Sequence, residues 1–162
     1  MSEILVAYFS ATGITERAAK ALADVTGATL YQIRPEQPYT QADLNWTDRS
    51  SRSSVECNDP TARPQLAGPP APVAASDPII LCFPIWWHLA PPPVRTFLHD
   101  YDFSGKHIFL LATSGGSTLD RALPDIRQMV PQAEVTAGPL ANWPHNSPAA
   151  LEKWARKAGI IS

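Results

Sequence analysis

The sequence predicts an α/β protein with three layers, in which a five-stranded parallel sheet lies between two layers of helices. Short apolar runs alternate along the whole chain with segments of helical periodicity, which is the pattern of successive βα units. Most of these runs are nearly continuous, as expected of parallel strands that are buried on both faces. Parallel strands need long, right-handed crossovers, and the helical segments between the runs can supply them.

The first βα unit has the clearest pattern. Glu3–Phe9 is an apolar strand, and Ile14–Val25 is an amphipathic helix. Its apolar residues at helical spacing are Ile14, Ala18, Ala21, Leu22 and Val25. We expect Thr12 to be the N-cap of this helix and Gly27 to end it. Ala28–Ile33 alternates between polar and apolar residues, which predicts the second strand.

The segment 34–76 is the least regular part of the chain, since it is polar, contains seven prolines and has no clear period. A crossover is still required here, and its best helix candidate is Thr40–Cys57. Thr40 would cap this helix, with Asp43 in the capping-box position. The expected inward stripe is thin and consists of Leu44, Thr47, Ser51 and Val55. We expect Pro60–Pro72 to be an extended connector and not a second domain.

The alternation then resumes. Pro78–Phe83 and Lys106–Ala112 predict two more buried strands, and Pro92–Tyr101 between them predicts a helix. The side chains of this helix that we expect to face inward are Val94, Phe97 and Leu98.

The last units are a helix over Thr118–Val130, a short fifth strand over Ala133–Ala137 and a helix over Pro148–Ala158. Ser147 is the expected N-cap of the final helix, and Gly159 ends it. The inward faces of the two helices are predicted to consist of Leu119, Leu123, Ile126 and Val130, and of Leu151, Trp154 and Ala155.

Composition and charge exclude several classes of protein. The 162 residues, 44% of them hydrophobic, suit one domain over 1–162 that buries a proper core. With 13 basic and 15 acidic side chains the net charge is −2, so no basic surface for nucleic acid or membranes is expected. No apolar run approaches the roughly 20 residues of a membrane span, and Met1–Glu3 leads directly into a strand. We therefore expect a cytoplasmic protein without a signal peptide.

The cysteines and histidines indicate no metal site. Cys57 and Cys82 are too few for a disulfide scaffold, and no group of His and Cys has metal-ligand spacing. Cys82 lies in an apolar run and is expected to be a buried thiol. His107 lies in a strand and is expected to be structural, whereas His99 and His145 have the setting of surface residues.

Three loops follow the carboxyl ends of predicted strands, and we call them the first, second and third loop. They are S-A-T-G-I-T (10–15), P-I-W-W-H (84–88) and T-S-G-G-S (113–117). Because the carboxyl ends of parallel strands lie at one edge of a sheet, the three loops share one rim. A strand order of 2-1-3-4-5 puts the switch point, where such folds bind ligands, between strands one and three.

The first loop has the composition of a phosphate cradle. It joins a buried strand to a helix, so free backbone N–H groups and the positive end of the helix dipole converge there. Ser10, Thr12 and Thr15 add hydroxyl donors, and Gly13 lets a ligand approach the backbone. The loop has neither the lysine of nucleotide-triphosphate loops nor G-x-G-x-x-G. Taken alone, it can also be an ordinary capped strand–turn–helix junction.

The second and third loops add what a flat ring requires. The tryptophan pair of P-I-W-W-H offers an aromatic platform, and T-S-G-G-S offers a glycine-rich backbone wall. A planar ring that carries a ribityl or ribosyl phosphate fits this combination.

On these motifs the chain resembles the flavodoxin family, in particular the branch of flavodoxin-like proteins with a P-I-W-W signature. The resemblance covers nearly the whole chain and is carried by residues 8–15, 84–87, 94–106 and 113–117. It implies the flavodoxin-like three-layer αβα fold and FMN as the cofactor.

The resemblance also implies which residues hold FMN. The phosphate would be held by Ser10, Thr12, Gly13 and Thr15, with backbone N–H groups of Ala11 and Ile14. The flavin ring would be lined by Pro84, Ile85, Trp86, Trp87 and His88. Its other side would face Thr113, Ser114, Gly115 and Gly116, with Ser117 at the edge.

The function implied is that of an FMN-binding redox protein that carries one or two electrons for a redox partner protein. Two departures from the family pattern leave alternatives open. His88 stands where this branch usually has glycine, and its imidazole can donate to reduced flavin, move a proton or simply face solvent. The charge of −2 is low for an electron carrier. The alternatives are an FMN-dependent NAD(P)H or quinone oxidoreductase, which would act on a small quinone or nicotinamide substrate, and a non-catalytic interaction module.

Other aromatic and polar residues near the rim receive simpler interpretations. We expect Tyr8 and Phe9 to belong to the core, and Trp46 and Trp143 to pack in flanking loops. Asn142, in the loop after the fifth strand, is a further candidate for contact with the ring edge.

Overall fold

The computed structural model describes residues 3–142 and 145–162. Trp143, expected to pack, lies outside the described residues. The strands are β1 (Glu3–Tyr8), β2 (Thr29–Gln32), β3 (Arg34–Pro35), β4 (Leu66–Ala67), β5 (Ser76–Pro84), β6 (His107–Thr113) and β7 (Glu134–Leu140). The helices are α1 (Ile14–Thr26), α2 (Arg52–Cys57), α3 (Pro92–Asp100), α4 (Ala122–Met129) and α5 (Pro148–Lys157).

The main sheet has five parallel strands in the order β2-β1-β5-β6-β7. The predicted order 2-1-3-4-5 is confirmed, since β3 and β4 form a separate antiparallel pair. The chain leaves β1 for β2 on one side and then crosses to β5 on the other side. The switch point therefore lies between β1 and β5, as the sequence predicts.

Each central strand is buried on both faces, which explains the continuous apolar runs. One face, with Leu5, Ile79 and Leu110, packs against apolar residues of α3 and α4. The other face, with Val6 and Ile80, packs against α1 and α5. Buried residues on the helices are Val94, Phe97 and Leu98 of α3, Ile126 of α4, Ala18, Ala19 and Leu22 of α1, and Leu151 and Ala155 of α5. Cys82 is buried within the second face, as expected.

The predicted helix over Thr40–Cys57 is wrong for most of its length, because only α2 is helical. Thr40 and Asp43 do exchange the expected capping-box hydrogen bonds, but these close a turn and start no helix. The side chains of Asn45 and Asp48 accept hydrogen bonds from the backbone two residues ahead, at 3.1 and 2.9 Å. Such local bonds compete with helix formation. The expected stripe also fails, since Thr47 and Val55 are exposed and no apolar face holds a longer helix.

Smaller differences concern element ends. α4 begins four residues later than predicted, because residues 119–121 form a turn, although Leu119, Ile126 and Val130 are buried as expected. β7 continues to Leu140 through Gly138, where a Cβ would approach Leu110 O to 2.6 Å and the Trp154 ring to 2.8 Å. The connector Pro60–Pro72 contains β4.

Among the described residues, no helix is long and apolar enough to cross a membrane.

Candidate functional site

The first, second and third loops lie at the carboxyl ends of β1, β5 and β6, which are neighbours in the sheet. Thr113 joins all three. Its hydroxyl lies 2.8 Å from that of Thr15 in the first loop, and both residues are buried. Its carbonyl accepts a hydrogen bond from Ile85 N of the second loop at 2.9 Å. The structure therefore brings the three predicted loops to one rim.

The first loop is arranged by its own backbone. Gly13 has φ 94°, in the left-handed region that glycine adopts without strain, and it is the N-cap of α1 without a side-chain cap bond. The expected Thr12 cap is therefore wrong: Thr12 is exposed and lies one residue too early. Gly13 N donates to Ser10 Oγ at 3.0 Å, which closes the loop.

Several N–H groups of the first loop have no partner among the described residues. Arg17 N donates to Gly13 O at 3.1 Å, and this is the first i to i−4 bond of α1. The N–H groups of Ile14, Thr15 and Glu16 precede it and so lack intrahelical acceptors. Those of Ala11 and Thr12 donate to no described backbone or side-chain acceptor either. These donors and the positive end of the helix form the kind of cradle that binds a phosphate.

The Thr15 hydroxyl does not point freely into this cradle. A hydroxyl has one donor hydrogen, and the Thr15–Thr113 contact uses the hydrogen of one of the two. The other two hydroxyl side chains of the loop are accessible, since Ser10 is half-buried and Thr12 is exposed.

The second loop contains a tight turn in a strained conformation. Trp86 N donates to Leu89 O at 2.9 Å, and Leu89 N donates to Trp86 O at 3.0 Å. The two residues between them, Trp87 and His88, have φ values of 52° and 69°. Two successive positive φ values define a type I′ turn, which normally takes asparagine or glycine. A bulky residue at positive φ is an outlier that needs support from its surroundings.

The two adjacent tryptophans have different environments. Trp86 is half-buried, and its ring packs edge-on against Phe9 and Tyr39, with centroids at 5.4 and 5.2 Å. Trp87 is 42% exposed. The Trp87 indole is thus the one available to a ligand, whereas the Trp86 indole anchors the loop. Phe9 is buried as expected.

The third loop is held by hydrogen bonds around Ser114. Its Oγ accepts from Gly116 N at 3.0 Å and from Ser117 N at 2.6 Å. The Asn142 side chain brackets the Ser114 peptide: Oδ1 accepts from Ser114 N at 3.1 Å, and Nδ2 donates to Ser114 O. Asn142, considered for contact with a ring, thus has its amide engaged in holding this loop.

The glycines of the third loop face open space. Gly115 and Gly116 are exposed, and a Cβ on either would meet no atom within 4 Å. Neither has a positive φ, so the backbone there does not require glycine for its conformation. Absence of side chains leaves room for a ligand beside the backbone.

The rim carries little charge. His88 is the sole ionisable residue in the three loops, and it is exposed. Ile14, 56% exposed, adds a second exposed apolar side chain to the three loops. His107 stacks on Phe109 at 4.0 Å and bonds Thr136 at 2.9 Å, at the opposite end of β6 from the rim. His99 and His145 are exposed, and no metal-binding cluster occurs within 3–142 and 145–162.

Neither cysteine has the environment of a reactive thiol. Burial raises the pKa of Cys57 to about 12, and burial also raises the pKa of Cys82 above its usual range. Both therefore stay protonated near neutral pH. Trp46, expected to pack, is instead exposed.

A cavity of about 310 Å³ lies beside the first loop on the β2 side. Ser10 and Ala11 line it together with Phe9, Tyr39 and residues 32–36. It does not reach the second or third loop, so it is not the space above the rim.

The family model described as Flavodoxin matches residues 3–158. The chain belongs to the flavodoxin family. Two solved structures of candidate flavoproteins are similar to this family member. That from Bacteroides eggerthii is 40% identical, with 99% of this chain and 100% of that chain covered and a TM-score of 0.91. That from Bacteroides uniformis is 42% identical, with 96% and 98% covered and a TM-score of 0.90.

A more distant solved structure, a flavoprotein in complex with FMN from Lactobacillus acidophilus, is 16% identical. It covers 96% of this chain and 99% of its own, with a TM-score of 0.71, and at this identity it shows the shared fold alone. A search of curated proteins found no match. The flavodoxin-like fold and the family expected from the motifs are thus confirmed.

Proposed function

We propose that this protein binds FMN at the rim and carries one or two electrons. The observation that carries the proposal is the set of unpartnered N–H groups in the first loop, on the same rim as an exposed indole and a glycine-rich wall, in a chain of the flavodoxin family. When bound, FMN supplies the redox chemistry, since its ring accepts and donates electrons.

The first loop fits the phosphate of FMN. The N–H groups of Ala11, Thr12, Ile14 and Thr15 and the hydroxyls of Ser10 and Thr12 are the proposed donors. Gly13 keeps the loop open and leaves no Cβ in the cradle. A helix N-terminus and backbone donors compensate the charge of the phosphate without a lysine.

The second and third loops fit the ring. Trp87 would stack on one side, with Pro84, Ile85 and Trp86 behind it, and Thr113–Gly116 would face the other side with Ser117 at the edge. Stacking excludes water from the ring. His88 is the one residue of the loops able to hold or move a proton beside it.

A small-substrate reductase is the second candidate. Apart from His88 the rim is uncharged, and it exposes Ile14 and Trp87. An uncharged, apolar rim suits a small quinone or a nicotinamide ring better than a highly charged partner protein, which needs complementary charge for steering. We further propose a single domain over 1–162 in the cytoplasm, with no nucleic-acid partner.

One experiment on purified protein tests the cofactor and separates the candidate functions. A yellow protein with bound FMN, or quenching of FMN fluorescence on titration, supports the cofactor. Bleaching by NADPH alone with turnover on a quinone selects the reductase, and bleaching only with a separate reductase selects the carrier. A colourless protein that leaves FMN fluorescence unchanged contradicts both and favours a non-catalytic interaction module.

A further inference from the structure

Three half-buried side chains of the irregular segment 34–76 form one connected unit, which we call the Tyr39 group: Tyr39, Arg52 and Glu56. The Tyr39 hydroxyl donates to Glu56 Oε1. Arg52 Nε donates to Glu56 Oε2 at 3.0 Å, and the guanidinium carbon lies 3.9 Å from the centroid of the Tyr39 ring. Arg52 Nη1 also donates to Gln37 O at 2.7 Å, which ties the backbone before Tyr39 to α2.

These contacts fix the orientation of the Tyr39 ring. Hydrogen bonds to charged groups are stronger than neutral ones, and a guanidinium over an aromatic face adds attraction. Burial, followed by the hydrogen bond to Glu56, raises the pKa of Tyr39 well above its usual range.

The fixed ring is one of the two that hold Trp86. Trp86 meets Tyr39 and Phe9 edge-on, with interplanar angles of 81° and 85°. Phe9 and Tyr39 also contact each other edge-on at 6.0 Å, so the three rings form one cluster. Edge-to-face packing is a favoured aromatic geometry.

Trp86 is the first residue of the type I′ turn, and both turn hydrogen bonds run between it and Leu89. Trp87 and His88 hold left-handed conformations that bulky side chains rarely adopt. Such conformations persist only where surrounding structure imposes them. The anchoring of Trp86 is a tertiary contact that can impose this one, in addition to the hydrogen bond from Ile85 N to Thr113 O at the start of the loop.

We infer that the Tyr39 group is a positioning device for the aromatic turn: by holding Trp86 it holds Trp87 at the rim, and so governs affinity for the flavin ring and not for the phosphate. The inference rests on the proposed function for its ligand. It also gives a role to the one segment whose sequence shows no pattern.

The first test needs no flavin. In uniformly ¹⁵N-labelled apoprotein, Tyr39→Leu should shift the indole N–H signals of Trp86 and Trp87 and leave that of Trp154 unchanged. The matched control is Tyr31→Leu, since Tyr31 is a half-buried tyrosine that bonds Pro69 O at 2.7 Å and packs on Phe97. An unshifted Trp87 signal in Tyr39→Leu would overturn the inference, because the Trp86 indole loses its direct contact with the Tyr39 ring in any case.

The second test compares FMN with riboflavin in fluorescence titrations. Tyr39→Leu should weaken both about tenfold and by the same factor, because one ring contact is lost and the phosphate cradle is intact. Tyr39→Phe keeps the ring and should restore binding to within about threefold of wild type. Unchanged affinity in Tyr39→Leu, or a loss confined to FMN, refutes the positioning role.

The two tests separate the inference from the proposed function. Wild-type protein that binds neither flavin refutes the proposed function, whereas the indole signals still decide whether the Tyr39 group positions the turn. If Tyr39→Leu does not fold, Glu56→Gln replaces it, since it removes the charged acceptor and keeps the side-chain size. A smaller loss of equal factor for both flavins then supports the inference, and no loss overturns it.

Discussion

The first and second loops both contain left-handed backbone, but different interactions hold that backbone in place. Both follow a buried parallel strand, and both contain backbone in the left-handed region. The first loop uses Gly13, whose N–H donates to Ser10 Oγ three residues earlier. The second uses Trp87 and His88, with support from Tyr39, which is distant in the sequence. A loop of the first kind is specified locally, whereas one of the second kind depends on the rest of the fold.

The two loops also differ in what they offer a ligand. The first loop offers backbone N–H groups, whose positions follow from the start of α1. The second offers an exposed indole, whose position depends on a strained turn. Substitutions in the two loops should therefore differ in which part of FMN they affect.

The largest expected effect is that of Thr12→Val combined with Thr15→Val. FMN should bind about 100-fold more weakly, because Thr12→Val removes a hydrogen bond to a charged group, which contributes about 1.5–3 kcal/mol, and Thr15→Val removes the contact with Thr113 that holds the loop. Riboflavin, which lacks the phosphate, should lose much less. Titration of both flavins checks this, and Thr15→Val alone separates the hydroxyl that contacts Thr113 from the exposed one. Equal losses for both flavins would contradict the phosphate assignment.

Trp87→Leu should weaken FMN and riboflavin alike, by about tenfold, because it removes the stacking surface and leaves the first loop intact. Trp46→Leu is the matched control, since Trp46 is also exposed but lies outside the three loops. The same titrations measure both variants. If the control loses as much affinity as Trp87→Leu, the effect is not due to the rim.

Gly13→Ala should destabilise the apoprotein by about 1 kcal/mol, because alanine is strained at φ 94° although its Cβ would meet no atom within 4 Å. Chemical denaturation measures the change in the free energy of unfolding. Gly115→Ala is the control for added bulk, since its Cβ also meets open space but its φ is not left-handed. If Gly13→Ala and Gly115→Ala have the same free energy of unfolding, the left-handed φ of residue 13 does not destabilise alanine there.

His88→Gly should have the smallest effect, and it should stabilise the apoprotein where Gly13→Ala destabilises it. Relief of the strain at φ 69° exceeds the added backbone entropy of glycine, so the free energy of unfolding should rise by about 0.5 kcal/mol. The same denaturation experiment measures it. In the flavin-bound protein the midpoint potential should also shift, and an unchanged potential would indicate that His88 only faces solvent.

Most features that the sequence predicts correctly depend on residues close together in the chain, and those that it misses depend on residues far apart. The five strands and the α5 cap at Ser147 follow from runs and caps within a few residues of each other. The strand order joins residues that are far apart in the sequence, and it followed from the fold class. The capping box at Thr40 and Asp43 was also correctly recognised, but the polar sequence after it has no apolar face to pack, so no helix follows. No sequence pattern indicated the Tyr39 group, because its contacts join residues 39, 52, 56 and 86 across an irregular segment.

The sequence by itself determined the fold and the position of the rim, because apolar periodicity and the carboxyl ends of parallel strands are local properties. It also determined the part of the first loop in which Gly13 and Ser10 bond each other, whereas the contact of Thr15 with Thr113 is a tertiary one. Only the tertiary structure decided that Trp86 is an anchor and that Trp87 is the exposed indole. Both residues are tryptophan, and only their environments differ. The physical reason is that packing by Phe9 and Tyr39, and not local preference, holds the second loop in its strained turn.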